Sequence, residues 1–205
     1  MSKARITLLI GAGATAAIAA TALVAVGRGG TGQREPVPAD SVMRALHEAP
    51  TTASAVPPEI AAALAMVPDV ETDNARRLIS GIGSKGYSVY VAPTGGGGVC
   101  VSTPAGAGCF PSFPDAGVSL SIGMNNDGRA SPTDRELIAG VARDDVARIT
   151  VAAGTRRLPV PLRNGGFVYE SPVVGLWADA LLVKLADGST ARVPIGNPNR
   201  FEAIP

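Results

Sequence analysis

The chain has 205 residues, with 18 basic side chains, 17 acidic side chains and a formal net charge of +1 at pH 7. This balance supplies no electrostatic attraction toward polyanions, so we expect no nucleic-acid partner. Aromatic residues make up only 4% of the sequence, and the core must therefore consist mainly of Val, Leu, Ile and Ala.

The N-terminal segment is apolar. Residues 6–27 contain no charged side chain, and a helix rising about 1.5 Å per residue would carry them across the bilayer core. Lys3 and Arg5, within the predicted cytoplasmic residues 1–5, place the N-terminus inside by the positive-inside rule. We therefore expect a single-pass protein of the cell membrane that contacts the bilayer through residues 6–27 and has its C-terminal domain outside.

Two other interpretations of this segment compete with a membrane anchor. The first is a signal peptide cleaved near Ala22 or Gly27, where small residues alternate, which would release a secreted protein. The second is a dinucleotide-binding turn, because Gly11, Gly13 and Ala16 follow the G-x-G-x-x-A pattern. That motif needs a second buried strand, and a Gly- and Pro-rich linker follows instead, so we expect no nucleotide cofactor.

Residues 28–70 are predicted to form a Pro/Gly-rich tether with short helices. Gly and Pro dominate residues 28–40, and no apolar period is present there. Short helices are predicted over residues 41–48 and 58–66, the second with Pro58 in its first turn. A third is predicted over residues 72–80, ended by Gly81 and Gly83.

Residues 71–205 are predicted to form an extracytoplasmic β-rich domain. Alternating segments are separated by turn residues, and Asn164-Gly165 is a strong hairpin signal. One predicted strand places Ala147, Ile149 and Val151 on a shared buried face. This pattern indicates a mainly β fold, an antiparallel β-sandwich or open barrel that is Ig-like in general architecture. Strands are predicted at residues 87–92, 99–103, 106–109, 118–122, 147–152, 158–162, 166–170, 181–185 and 191–195.

Cys100 and Cys109 are the two cysteines of the chain. If strands 99–103 and 106–109 pair across the turn at Pro104-Ala105, position 100 faces position 109. A cross-strand disulfide is therefore predicted, which an extracytoplasmic compartment would permit. The alternative, a redox-active pair, is disfavoured because the spacing is not C-x-x-C and no neighbour would acidify a thiol.

The chain resembles small anchored or secreted proteins of GC-rich bacteria that have no assigned role. The resemblance rests on residues 3–27, the tether, ARRLISG at residues 75–81, YSVYVAPTGGGGVCVSTPAGAGC at residues 87–109 and the short strands that follow. It covers about residues 75–195, supports export and the disulfide, and implies no activity.

Few side chains suggest chemistry. His47 has no companion ligands for a metal, and the Asn125–Asp134 segment matches a calcium loop poorly, so no metal site is predicted. Asp144 and Asp145 are adjacent in a predicted turn and would not converge on one substrate atom. Trp177 is expected to anchor the core or its rim.

The favoured hypothesis is therefore a non-enzymatic binding or structural module. No catalytic residue is assigned, and an envelope protein or cell-wall component is the expected partner. The alternative is an extracytoplasmic hydrolase whose site is assembled from distant residues such as Asp127, Ser131 and Asp134.

Overall fold

A computed structural model describes residues 37–49, 51–125 and 133–196. The predicted membrane segment 6–27 lies outside these ranges. Within them, no helix is both long enough and apolar enough to cross a bilayer. The described part is mainly β, with twelve strands and two short α-helices, which confirms the predicted class.

The twelve strands form three antiparallel sheets of four strands each. Sheet A is a meander, and its strands in order are β1 (Arg76–Ile82), β2 (Tyr87–Pro93), β3 (Val99–Thr103) and β4 (Gly106–Phe110). Sheet B contains, in spatial order, β5 (Val118–Met124), β6 (Glu136–Ala142), β10 (Gly166–Glu170) and β9 (Leu162–Arg163). Sheet C contains β12 (Thr190–Pro194), β11 (Ala180–Leu185), β7 (Val146–Ala153) and β8 (Arg156–Val160).

Sheet B lies between the other two sheets, and its central strands β6 and β10 are buried on both faces. Alternate residues of β6 belong to different cores: Leu137, Ala139 and Val141 pack with sheet A. Ile138 and Ala142 pack with sheet C instead. Strand β10 divides its side chains in the same way, with Val168 toward sheet A and Phe167 toward sheet C. Sheets B and C are consistent with the predicted sandwich, and sheet A is a further layer on it.

The two α-helices are short and lie at the outside of the stack. Helix α2 (Pro58–Ala65) confirms the helix predicted at 58–66, and its Leu64 packs on the outer face of sheet A. The helix predicted at 41–48 is interrupted: a 3₁₀ turn at Asp40–Val42 precedes α1 (Arg44–His47). Neither has a side-chain cap, so packing holds them in place.

The N-terminal part of the described chain is fastened to the sheets. Ala39 and Met43 are buried in the core between sheets A and B. The buried guanidinium of Arg76 donates hydrogen bonds to the carbonyl oxygens of Ala45 and Glu48. The chain thus enters the fold along the ends of the strands, next to the β2–β3 turn, where the amide of Asp40 donates to Gly97.

The helix predicted at residues 72–80 is wrong. A 3₁₀ turn covers Thr72–Asn74, and Arg76–Ile82 then form β1. Pairing with β2 satisfies the backbone hydrogen-bonding groups of this segment. The β1–β2 register shifts between Arg77 and Ile79, so the consecutive residues Leu78 and Ile79 are both buried. This irregular burial gives the sequence a helix-like spacing of apolar residues.

Two further expectations about strands fail for related reasons. Strand β6 was not predicted, because all seven of its residues are buried and no alternation is left to detect. Ala147 is exposed, although the pattern placed it with Ile149 on the buried face. The β7–β11 pairing is irregular between Lys184 and Leu185, and Ala147 is passed over there.

The disulfide prediction is confirmed. Cys100 and Cys109 are directly opposite in the β3–β4 register and form a disulfide with a Cα–Cα distance of 4.0 Å. Cys100 is buried beneath α2, whereas Cys109 is exposed on an edge strand. The bond secures β4, and a loop of this length contributes about 2–3 kcal/mol in the chain-entropy model.

Close packing around Gly140 in β6 provides a test of the two-sided core. A Cβ there would lie 2.1 Å from the carbonyl oxygen of Ser119 and 3.0 Å from the Phe167 ring. We expect Gly140→Ala to lower the free energy of unfolding by about 3 kcal/mol, measured by urea denaturation. Gly108→Ala is the control, because a Cβ at Gly108 would meet no atom within 4 Å. Equal losses in the two variants would contradict the packing described.

Candidate interaction site at the far end of the sheets

The strands of all three sheets run between two ends of the molecule. The entry end, where the described chain begins, includes the turns at 94–98, 143–145 and 164–165. The far end includes the turns at 83–86 and 154–155, and the connection between β10 and β11, residues 171–179, which we call the far loop. Polar side chains fix backbone segments at both ends, and those at the far end hold the far loop and the turns beside it.

Glu170, the last residue of β10, ties sheets A and B together. Its carboxylate accepts hydrogen bonds from the amide and hydroxyl of Ser84, at 2.6 and 2.7 Å, and from the side-chain amide of Asn125 at 2.6 Å. Partial burial opposes ionisation, but the Ser84 and Asn125 bonds and the charge of Arg135 together lower the pKa of Glu170. Glu170 is therefore an ionised clamp on the β1–β2 turn.

Glu136, the first residue of β6, fixes the far loop from below. Its buried carboxylate accepts a 2.6 Å hydrogen bond from the amide of Ala178. Ser171 is fully buried, and its hydroxyl lies 2.7 Å from the carbonyl oxygen of Val173 and 3.0 Å from that of Leu176. At the other end of the loop, the amide of Asp179 donates to Ala152 at 2.7 Å.

These bonds hold an apolar tip out in solvent. Val173 and Val174 are 46% and 48% exposed. The amide of Leu176 donates to Val173, and Gly175 has a φ of 76°, as a tight turn with a positive-φ residue requires. Trp177 follows and is half-buried. Because its base is pinned, the tip would lose little conformational entropy on binding.

The β7–β8 turn lies beside the far loop. The Asp179 carboxylate accepts a 2.6 Å hydrogen bond from the amide of Gly154, which joins the turn to the loop. Arg156 and Arg157 follow this turn and are exposed. Arg157 folds back onto the Gly154 carbonyl oxygen at 2.9 Å. Two basic residues therefore follow the turn that is bonded to the base of the far loop.

Two tyrosines line the interior of the far end. Burial raises the pKa of Tyr169, with the Ser171 hydroxyl acting against this and the Glu136 charge adding to it. Burial also raises the pKa of Tyr87, and the Glu170 charge contributes. Neither hydroxyl has a well-aligned hydrogen-bond partner among the described residues. Both phenols stay neutral. Tyr169 packs in the core between sheets B and C, and Tyr87 packs against the core between sheets A and B.

A cleft lies at the entry end. This cleft, of about 300 Å³, is lined by Arg44, Asp144, Asn164 and their neighbours. The Asp144 carboxylate accepts a hydrogen bond from the Arg44 amide at 2.6 Å, and Arg143 pairs with Asp145 at 2.8 Å. Asp144 and Asp145 therefore serve different partners and do not converge, as their adjacency in the sequence implied.

The remaining candidates from the sequence are not gathered into one site. Asp127 and Ser131 lie outside the described residues, and of the suggested hydrolase set only Asp134 is described. His47 is exposed in α1. No group of three potential metal ligands occurs within the described ranges.

The far loop was not recognised as a site in the sequence. Its signal is the run Pro172-Val173-Val174-Gly175, in which apolar residues occupy a segment bounded by turn formers. Sequence alone leaves such a run equally compatible with a buried strand. Its exposure depends on hydrogen bonds to Ser171 and to Glu136, a residue 35 positions before Ser171.

Comparisons with known proteins give no relative for this chain. No family model matches the sequence, no curated protein is significantly similar to it, and no solved structure matches its fold.

The Glu170 clamp predicts a pH dependence. A pKa lowered on folding means that ionised Glu170 stabilises the fold above the ordinary value of 4.5, and that this contribution is lost as the pH falls through the lower folded pKa. Glu170→Gln should cost about 1 kcal/mol of unfolding free energy at neutral pH, after discounting for solvent screening.

Urea denaturation at several pH values measures this effect. The difference between the native protein and Glu170→Gln should shrink at acidic pH. Glu59→Gln, which changes an exposed carboxylate in the first turn of α2, is the control. A difference that persists unchanged at low pH would exclude the clamp.

Proposed function

We propose that this chain is a membrane-anchored, non-enzymatic module outside the cell membrane, which binds an envelope protein through the far loop. The observation that carries the proposal is the exposed Val173–Val174 tip on a hydrogen-bonded base. Rigid exposed apolar residues are a common feature of protein-binding sites.

Two features support a membrane anchor with the β domain on the outer side of the cell membrane. Residues 6–27 are uncharged over a length that suits a bilayer-spanning helix, and basic residues precede them. The disulfide between Cys100 and Cys109 suits an oxidising compartment, because cytosolic thiols are normally kept reduced. A cleaved signal segment would leave the same domain in the same compartment.

The direction of the strands supports the choice of the far loop. The tether would reach the domain at the entry end, where Ala39 donates to Pro111 and Asp40 donates to Gly97. The far loop is at the opposite end of the stack. Once anchored through residues 6–27, the domain could present Val173 and Val174 away from the bilayer.

The chemistry of the tip favours a protein partner over a glycan. A glycan surface is bound mainly through hydrogen bonds and exposed aromatic faces, whereas Val173 and Val174 offer neither. The nearby carboxylates of Glu136 and Glu170 already accept hydrogen bonds that hold backbone segments. Their present role is structural, which supports binding over catalysis.

A photocrosslinking experiment tests this proposal. A photoreactive amino acid replaces Val174 in the full chain expressed in cells, and the envelope fraction is analysed after irradiation. We expect one discrete protein adduct, which is lost when Val173→Ser weakens the apolar contact.

Arg148, exposed in β7 away from the far loop, is the matched control position for the crosslinker. The proposal predicts the adduct at position 174 and none at position 148. Identical adducts at both positions, or none at position 174, would exclude the far loop as the binding surface.

A further inference from the structure

Strand β5 is an edge strand of sheet B that lacks the usual protection against pairing with another chain. Edge strands are commonly protected by charged side chains, by proline or by being short. Among the six edge strands of the described sheets, β1, β8, β9 and β12 contain arginine, and β8 and β12 also contain proline. Strand β4 is uncharged, but its exposed residues, 107–109, have small side chains. Strand β5, with the sequence VSLSIGM, has seven residues and neither charge nor proline.

The backbone groups along the free edge of β5 have no hydrogen-bond partner among the described residues. The amide of Asn125 donates to Arg135, and the amide of Arg143 donates to Gly117, so the odd-numbered residues of β5 are the ones hydrogen-bonded to β6. In an antiparallel pair, the residues between them direct their N–H and C=O groups away from the partner strand. The residues with outward groups are Val118, Leu120, Ile122 and Met124.

The same four residues carry the apolar side chains of β5. Val118 is buried in the core between sheets B and C, whereas Leu120 and Ile122 pack against that core and remain half-exposed. Met124 lies on the same face, because side chains alternate along a strand. The core between sheets B and C therefore ends at β5 with apolar side chains that are only partly covered.

The opposite face of β5 is small and polar. Ser119, Ser121 and Gly123 face sheet A, and a Cβ at Gly123 would lie 3.4 Å from Ala105 in the β3–β4 turn. Neither face of β5 carries a charge, so two copies of the strand would meet without like-charge repulsion between them.

The order of the residues makes β5 complementary to itself. A second β5, antiparallel and related by a two-fold axis at Ser121, places Leu120 opposite Ile122 and Val118 opposite Met124 of the second copy. Each apolar side chain then meets an apolar side chain across the joint. The outward N–H and C=O groups of these residues also form hydrogen-bonded pairs in this register. A two-fold contact of this kind closes with two copies.

We propose that this chain forms a homodimer through β5, in which the two copies of sheet B join into one antiparallel sheet of eight strands. A second copy is favoured over an unrelated strand because it matches β5 at every position, with apolar opposite apolar and small opposite small. Antiparallel pairing leaves one far loop at each end of the joined sheet. The contact involves no residue of that loop, so it is independent of the proposed envelope partner.

A cysteine on the two-fold axis tests this pairing. Position 121 lies directly opposite position 121 of the second copy, at a Cα–Cα distance of about 4.5 Å, which a disulfide can bridge. We expect Ser121→Cys, in the full chain in detergent micelles, to form a covalent dimer under mild oxidation. Non-reducing electrophoresis and intact mass spectrometry detect that dimer.

Ser119→Cys is the matched control, since it introduces a thiol on the same face of the same strand. In the proposed register position 119 faces position 123, so the two copies of position 119 are about 13 Å apart along the strands, too far for a disulfide. Equal cross-linking of the two variants, or no cross-linking of Ser121→Cys to itself, would overturn the proposal.

Charges at the same position test the pairing without a new thiol. Ser121→Lys and Ser121→Glu each place like charges opposite each other, and each should raise the dissociation constant of the dimer at least about tenfold in sedimentation experiments. An equimolar mixture of the two variants should recover the dimer, because lysine then faces glutamate. Ala107→Lys, on the exposed edge strand β4, is the control and should leave the dissociation constant unchanged. A native chain that sediments as a monomer, or a mixture that shows no recovery, would exclude the second copy.

Discussion

Burial of the central strands of sheet B, β6 and β10, on both faces is the constraint on which the rest of this structure depends. Strand β6 supplies Leu137, Ala139 and Val141 to one core and Ile138 and Ala142 to the other. With an aromatic content of 4%, the protein cannot fill one thick core with large rings. It instead builds two thin cores from aliphatic side chains, and each shares sheet B as a wall.

Stacking three sheets in this way determines where polar groups can act. Both faces of β6 and β10 are closed to solvent, and the carboxylates of these two strands lie at their ends. Glu136 and Glu170 both lie at the far end, where each accepts hydrogen bonds from a connecting segment. Burying a carboxylate without hydrogen bonds would destabilise the fold. The bonds that Glu136 and Glu170 accept avoid this cost, and they also hold the connecting segments in place. The exposed Val173–Val174 tip depends on this arrangement, and so does the proposed binding surface.

Turn residues predicted the hairpins at Asn164-Gly165 and Pro104-Ala105, and both are present. The predicted register that places Cys100 opposite Cys109 is confirmed. Strand β6 could not be found in this way, because seven buried residues show no alternation. The register shift in β1 buries the consecutive residues Leu78 and Ile79, and this spacing of apolar residues is also typical of a helix. The far loop escaped detection because its exposure is set by contacts with β6, which sequence spacing does not show.

Native-state hydrogen exchange tests the central role of sheet B most directly. If both cores depend on β6, its amides can exchange only when the whole fold opens, and the free energy of opening at Ile138 and Ala139 should equal the global free energy of unfolding. Amides of the edge strand β12 should exchange with lower opening free energies, since β12 is paired on one side only. Exchange in β6 at a lower free energy than in β12 would contradict the account.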